Sequence, residues 1–211
     1  MIKKPRFKIY RREKINIFLK NFYISNKSKF LKKLRKNKNI NKKNSFSIPS
    51  HYSNQIKEKR KLKIIYGISD KTYNIYYSKS KDMGGDISYN ILKILECRLD
   101  NIIYRSFFSY TRPQARQMIS HKFFLFNNKY LNFSSRILKV GDYIKLNLNK
   151  NLNFFDFNYF YYCINKNLTP EWIFINKNNF SFYLKRYPTK NDLNNYLNIN
   201  NSFIFGNCNN E

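Results

Sequence analysis

From Arg98 to Arg105, Leu99, Ile102 and Ile103 recur at the i, i+3, i+4 spacing of an amphipathic helix. Arg98, Asn101 and Arg105 fall on a different arc, so the pattern predicts one apolar and one cationic face. A second helix announces its own start. Thr111 is a good N-cap, Gln114 three residues on completes a capping box, and Pro113 sits in the first turn, where a missing N–H costs nothing. Ala115, Met118 and Ile119 form its buried stripe, while Arg112, Arg116 and Gln117 point elsewhere. Arg112 and Arg116 are one turn apart and repel in isolation, which suits a polyanion lying across them. After His121 and Lys122 the period shortens. Phe123 to Phe126, the pair Asn127-Asn128 and the run from Lys129 predict a hairpin, since Asn tolerates the positive φ of a tight turn. Val140-Gly141-Asp142 is a second turn, feeding a closing strand from Tyr143 to Leu148.

Upstream, Ser53 or Asn54 is the expected cap of a helix ended by Gly67. Lys57, Lys59, Arg60, Lys61 and Lys63 cover its outer surface, and Leu62, Ile65 and Tyr66 give a narrow apolar stripe. Ser69 to Ser80 predicts the next helix, with Tyr73, Tyr76 and Tyr77 packing at i, i+3, i+4. Asp86 to Ile94 leads into the helix that carries Arg98. Asn21 to Ser50 is dominated by Lys, Asn and Ser, a composition that stays solvated alone and can order between RNA phosphates. Phe154 to Ile164 is aromatic but too short to span a bilayer.

Charge changes the picture most. Against 41 Lys plus Arg stand 12 Asp plus Glu, a formal +29. A compact chain gains nothing internally from such repulsion, so the excess implies a polyanionic partner. Met1 to Tyr66 holds 22 of the basic residues and only Glu13 and Glu58 as acids. Lys, Asn, Ile, Phe and Tyr dominate and Ala115 is the only alanine, which points to an extremely A/T-rich gene of the kind found in reduced organelle genomes. Cys97, Cys163 and Cys208 lack CxxC spacing, so neither a metal nor a disulfide framework is expected; Cys97 reads as a small core residue. No cofactor is expected.

The series RLDNIIYR, TRPQARQMISHK, FNNKYLN and VGDYIKL resembles the S-four RNA-binding domain. Companion segments are similar to the small-subunit ribosomal S-four family: RFKIYRRE near the start, SHYSNQIKEKRKLKIIYGI, and Thr169 to Ile173, Arg186 to Leu193 and Ile199 to Phe205. The likeness fails over roughly residues 21–47 and 149–168. It implies an α+β fold in which a helical domain wraps around an inserted S-four domain of two helices and a small β-sheet. The expected divisions are a basic arm (1–47), the first helical part (48–96), the S-four domain (97–149) and a C-terminal return onto the helical part (150–211).

What the resemblance implies for function is a structural constituent of the small ribosomal subunit. It would nucleate assembly of the 5′ domain of small-subunit rRNA, touch the S-five and S-three type proteins, and lie near the mRNA entry path. The RNA-binding residues expected are Lys3, Lys4, Arg6, Arg11, Arg12, Lys57, Lys59, Arg60, Lys61, Lys63, Arg98, Asn101, Arg105, Thr111, Arg112, Arg116, Gln117, Ser120, His121, Lys122 and Lys129. Because the opening segment begins almost at Met1, a cleavable transit peptide is not expected. A plastid ribosome of the apicoplast kind fits best, with a mitochondrion as alternative. S-four domains also accompany RNA-modifying enzymes, and an RNA-modifying or regulatory role outside the ribosome is the alternative function. The chain, however, has no Gly-rich nucleotide loop and no room for a catalytic domain, so no enzyme is expected. Charge alone would permit DNA or an anionic membrane; the ordered helix–helix–hairpin series argues against both.

Overall fold

The computed structural model describes residues 50–148 and 155–196. The chain forms two compact units, residues 1–65 with 199–211, and residues 66–198. Ser50 and helix α1 (His51–Tyr66) as far as Ile65 are the described part of the first unit; Tyr66 belongs to the second. The N-terminus of α1 differs from expectation. Ser50, not Ser53 or Asn54, is the cap, its Oγ accepting from the Ser53 N–H at 3.2 Å while its carbonyl accepts from Asn54. The helix ends as expected at Gly67, whose φ of +61° suits glycine.

In the second unit, α2 (Asp70–Asp82) is capped by Ser69 and buries Tyr73 and Tyr76. Helix α3 (Ile87–Glu96) is capped by Asp86. Helices α4 (Leu99–Arg105) and α5 (Arg112–Ser120) lie where the hydrophobic spacing placed them. Thr111 Oγ1 accepts from the Gln114 N–H, and the Gln114 side chain returns to the N–H of Tyr110 rather than to that of the cap. The box is therefore shifted by one residue.

Strands β1 (Phe124–Phe126) and β2 (Lys129–Tyr130) flank Asn127 and Asn128, both at positive φ (45° and 64°), as a tight hairpin demands. Strand β3 (Tyr143–Leu146) follows Gly141. The C-terminal part departs from expectation. Helix α6 (Phe157–Asn165), capped by Asp156, occupies the stretch where the resemblance failed. Strands β4 (Ile173–Asn176) and β5 (Ser181–Leu184) then extend the small sheet instead of returning to the helices. The result is an antiparallel order β2-β1-β3-β5-β4, with Ile144 opposite Phe182 and Phe182 opposite Ile175. Only after the sheet does the chain return to α3: the Tyr89 hydroxyl donates to the Pro188 carbonyl at 2.9 Å, and Lys190 pairs with Asp86 at 2.9 Å. Helix α7 (Lys190–Tyr196) closes the described chain.

One face of the sheet and the apolar stripes of α4 and α5 share a core centred on Phe108. Its ring meets those of Phe160 (4.7 Å), Phe182 (5.2 Å), Phe155 (5.6 Å) and Phe124 (5.8 Å). Cys97 and the predicted stripe Ala115, Met118 and Ile119 belong to this core. Burial, then the neighbouring Glu96 charge, push the Cys97 thiol up to about 12, so it is an inert packing group.

Candidate nucleic-acid interface

Helices α4 and α5 are held by the backbone before they are held by side chains. The N–H groups at the start of α4 that have no intrahelical partner find carbonyls in the loop after the hairpin: Leu99 donates to Arg136 at 2.8 Å and Asp100 to Ser134 at 3.2 Å. Leu99, Ile102 and Ile103 face the core as the sequence predicts.

The cationic arc does not face solvent. All seven residues of α4 are buried, and Arg98, Asn101, Arg105 and Arg112 are between 0% and 8% exposed. These four, expected on an RNA-facing surface, are instead buried and hydrogen-bonded inside the unit. Glu96 accepts from Arg105 Nε and Nη2 (3.0 and 2.7 Å), from Asn101 Nδ2 (2.6 Å) and from the Tyr66 hydroxyl (2.5 Å). Asn101 Oδ1 in turn accepts from Arg112 Nε at 2.7 Å. The Arg112 guanidinium lies over the rings of Tyr104 (4.4 Å) and Tyr66 (4.8 Å). Asp100 binds Arg98 through two bonds (2.9 and 3.1 Å) and Arg116 Nε at 2.6 Å, while Arg98 Nη1 donates to the Tyr76 hydroxyl at 2.5 Å. Arg116, with 27% of its side chain exposed, also ties down the carbonyls of Gly67 (2.7 Å) and Tyr66 (2.5 Å).

Helical periodicity defines an arc but not what covers it. Here Tyr66, Tyr76 and Glu96 cover it, and two acids among four arginines relieve the repulsion assigned to a polyanion. Burial pushes the Glu96 carboxyl up. The Arg105 charge and hydrogen bonds outweigh that, with help from Arg112 and Tyr66, and hold its pKa at about 2. Burial and the Arg105 charge lower the pKa of Arg112.

Gly67 is part of this construction. A Cβ there would lie 2.9 Å from Arg116 Nη1, on a backbone at φ +61°. Gly67→Ala is therefore expected to destabilise the full chain by about 1–3 kcal/mol in urea denaturation, combining strain with displacement of Arg116. Gly84→Ala, at φ +68° with nothing within 4 Å, carries the strain alone and is expected to cost less. Equal effects would mean that the Arg116 contact contributes nothing.

What remains outside is the end of α5 and the hairpin. Gln117, Ser120, His121, Lys122 and Lys129 are exposed, and Lys122 sits at φ 58°, turning the chain sharply at the helix end. Gln114, Gln117, Met118, His121 and Phe123 line a shallow groove, with the His121 ring edge-on to Phe123 at 6.4 Å. Thr111 works as a cap. Arg136 and Lys139, which the hydrophobic pattern did not single out, are also exposed; the Arg136 guanidinium lies 4.0 Å over the Phe126 ring. The basic spacing in Ser134–Lys139, next to the loop that caps α4, was the available signal. On α1, Lys57 is exposed and Lys61 pairs with Glu58 at 2.5 Å; Lys59, Arg60 and Lys63 belong to the same helix. Lys3, Lys4, Arg6, Arg11 and Arg12 lie outside the described residues. Among the described residues there is no cluster of three potential metal ligands and no helix long and apolar enough to cross a membrane. The exposed edge can neutralise phosphates with Lys122, Lys129 and Arg136 and offer Gln117, Ser120 and His121 for hydrogen bonds.

Residues 1–96 match the family described as the Ribosomal protein S4/S9 N-terminal domain, and residues 97–144 match the S4 domain. Similar proteins include the small ribosomal subunit protein uS4 of Xanthomonas oryzae pv. oryzae (strain PXO99A), 36% identical over 144 residues, covering 68% of this chain and 69% of the relative. That of Xylella fastidiosa (strain 9a5c) is 35% identical over 152 residues, with the same shares.

Proposed function

We propose, since the chain belongs to the small ribosomal subunit protein uS4 family, that it meets folded rRNA through the edge running from Gln117 to Lys122, with Lys129 and Arg136 beside it. The chain is a structural constituent of the small ribosomal subunit and an rRNA-binding protein. The observation that carries the finer reading is the inversion of the arginines. With Arg98, Arg105 and Arg112 consumed by Glu96, Asp100, Asn101 and tyrosines, the exposed cations of the α5–hairpin edge are left for phosphate. In this reading the folded RNA is the 5′ domain of small-subunit rRNA, bound early in assembly. S-five and S-three type proteins and the mRNA entry path lie nearby, and the basic residues of the N-terminal 66 positions add long-range attraction. The ribosome belongs to an organelle with an A/T-rich genome, a plastid before a mitochondrion; imaging the chain against plastid and mitochondrial markers tests that assignment.

The test of the RNA reading is binding to the 5′-domain rRNA across a salt series, with a scrambled duplex of equal length as control. Affinity is expected to fall with salt for both RNAs but to retain selectivity for the 5′ domain. Equal affinities that vanish together would leave only non-specific charge.

A further inference from the structure

The face of the sheet opposite the core carries a second pattern. On β3, β5 and β4, Tyr143 stands opposite Tyr183 and Tyr183 opposite Phe174, so three aromatic rings form one row across adjacent strands. The neighbouring row runs Tyr130, Leu125, Lys145, Ser181, Asn176 by the same pairing. Phe174 is 47% exposed, although its strand neighbours Ile173 and Ile175 pack on the core, and Tyr130 is 60% exposed. Phe174 and Tyr183 stack at 4.9 Å with an interplanar angle of 29°. None of the five strands carries an Asp or Glu; Lys145 stands on this face, Lys129 pairs with Phe126 in the core-side row, and Lys185 follows β5 exposed.

We propose that this face is a stacking platform for a short single-stranded RNA segment, separate from the α5–hairpin edge. Adjacent strands are spaced by roughly 4.8 Å, so rings in one row are placed to receive two or three successive unstacked bases. Bases present π-faces whatever their identity, and a row of aromatics with lysines and amides beside it binds them without sequence readout. A protein partner is the competing occupant. The absence of acids and the presence of lysines among the rings favour an anionic one. The inference rests on the chain being an RNA-binding protein but not on which edge holds folded rRNA.

The test uses the full chain and a fluorescent uridine octamer, read by anisotropy, beside the 5′-domain rRNA fragment. Phe174→Leu and Tyr143→Leu keep apolar bulk and remove the aromatic face. Each is expected to weaken octamer binding on the order of tenfold, with the affinity for the folded fragment and the thermal midpoint unchanged. Lys145→Gln is expected to reduce the salt dependence of octamer binding. Unchanged octamer affinity in both leucine variants would overturn the platform while leaving the rRNA reading intact. So would loss of another small-subunit protein's binding with octamer affinity intact, which would give the face to a protein. Failure of the wild-type chain to bind the folded fragment would count against the rRNA reading itself, and the octamer arm would still be read separately.

Discussion

Glu96→Gln is expected to lower the thermal midpoint of the full chain by on the order of 10 °C, corresponding to about 3–5 kcal/mol. The side chain is fully buried and accepts from Arg105, Asn101 and Tyr66. Around it the network holds Arg98, Arg105, Arg112 and Arg116 against Glu96 and Asp100, four positive charges to two negative. Glutamine keeps the shape and one acceptor but raises the imbalance by one charge. Arg105 is then left buried with no carboxylate, which is the costly case for a broken ion pair. A control sits on the surface: Glu171, with 86% of its side chain exposed, meets Arg186 at only 3.4 Å. Glu171→Gln is expected to change stability by less than about 1 kcal/mol. Calorimetry of the three chains decides it; equal midpoints for wild type and Glu96→Gln would mean that the buried pair contributes nothing net.

The same carboxylate gives a pH signature of fixed sign. Its folded pKa of about 2 lies below the ordinary value of 4.5, so its stabilisation is complete above that ordinary value and is lost as pH falls toward 2. The interval corresponds to roughly 3 kcal/mol. Asp86, Asp156 and Asp192 are also held low, the first by Lys190, the second by Tyr110 and the third by Arg186, and they add to the acid limb of any variant. The difference between wild type and Glu96→Gln isolates Glu96. It is expected to shrink steadily from about pH 5 downward and to be nearly constant from about pH 5 to 8.

The elements of the S-four region were legible because each carries its own local signal. Thr111 and Pro113 start α5, the Asn pair makes the hairpin and Gly141 the next turn. The direction of the arginines was not legible in the same way. A spacing of 3.6 residues separates Arg98, Asn101 and Arg105 from the leucine–isoleucine stripe but is silent about a second layer covering that arc. Glu96 and Asp100 were the available warning: in a chain with 12 acids, two fall within three residues of Arg98. Strands β4 and β5 were missed for another reason. Their alternation is short, and the likeness of Thr169 to Ile173 to a helical-domain return overrode it. Ile173, Ile175, Phe182 and Leu184 nevertheless alternate around Asn178-Asn179 as a hairpin with one buried face would.

Arg112→Ala and the pair Lys122→Gln, Lys129→Gln are expected to fail in opposite ways. The sequence alone put Arg112 on phosphate, which would make its removal a loss of RNA affinity. In the structure its guanidinium is buried between two tyrosine rings and bonded to Asn101, so truncation opens a cavity and strips Asn101 of a donor. Relief of the Arg105 repulsion offsets part of this, leaving an expected loss of about 2–4 kcal/mol in urea denaturation. The protein that remains folded is expected to bind the 5′-domain rRNA with an unchanged salt slope, because every phosphate-binding group is still in place. Lys122 and Lys129 are exposed, and replacing them should leave stability within about 0.5 kcal/mol. Removing one lysine–phosphate pairing reduces the slope of log affinity against log salt by about 0.7–0.9, which at 0.1 M salt is roughly five- to tenfold in affinity. The slope is the readout that separates the two readings, since a partly unfolded variant loses apparent affinity without changing it. A slope reduced by about one unit in Arg112→Ala, with stability intact, would return that arginine to the RNA surface and remove it from the core network.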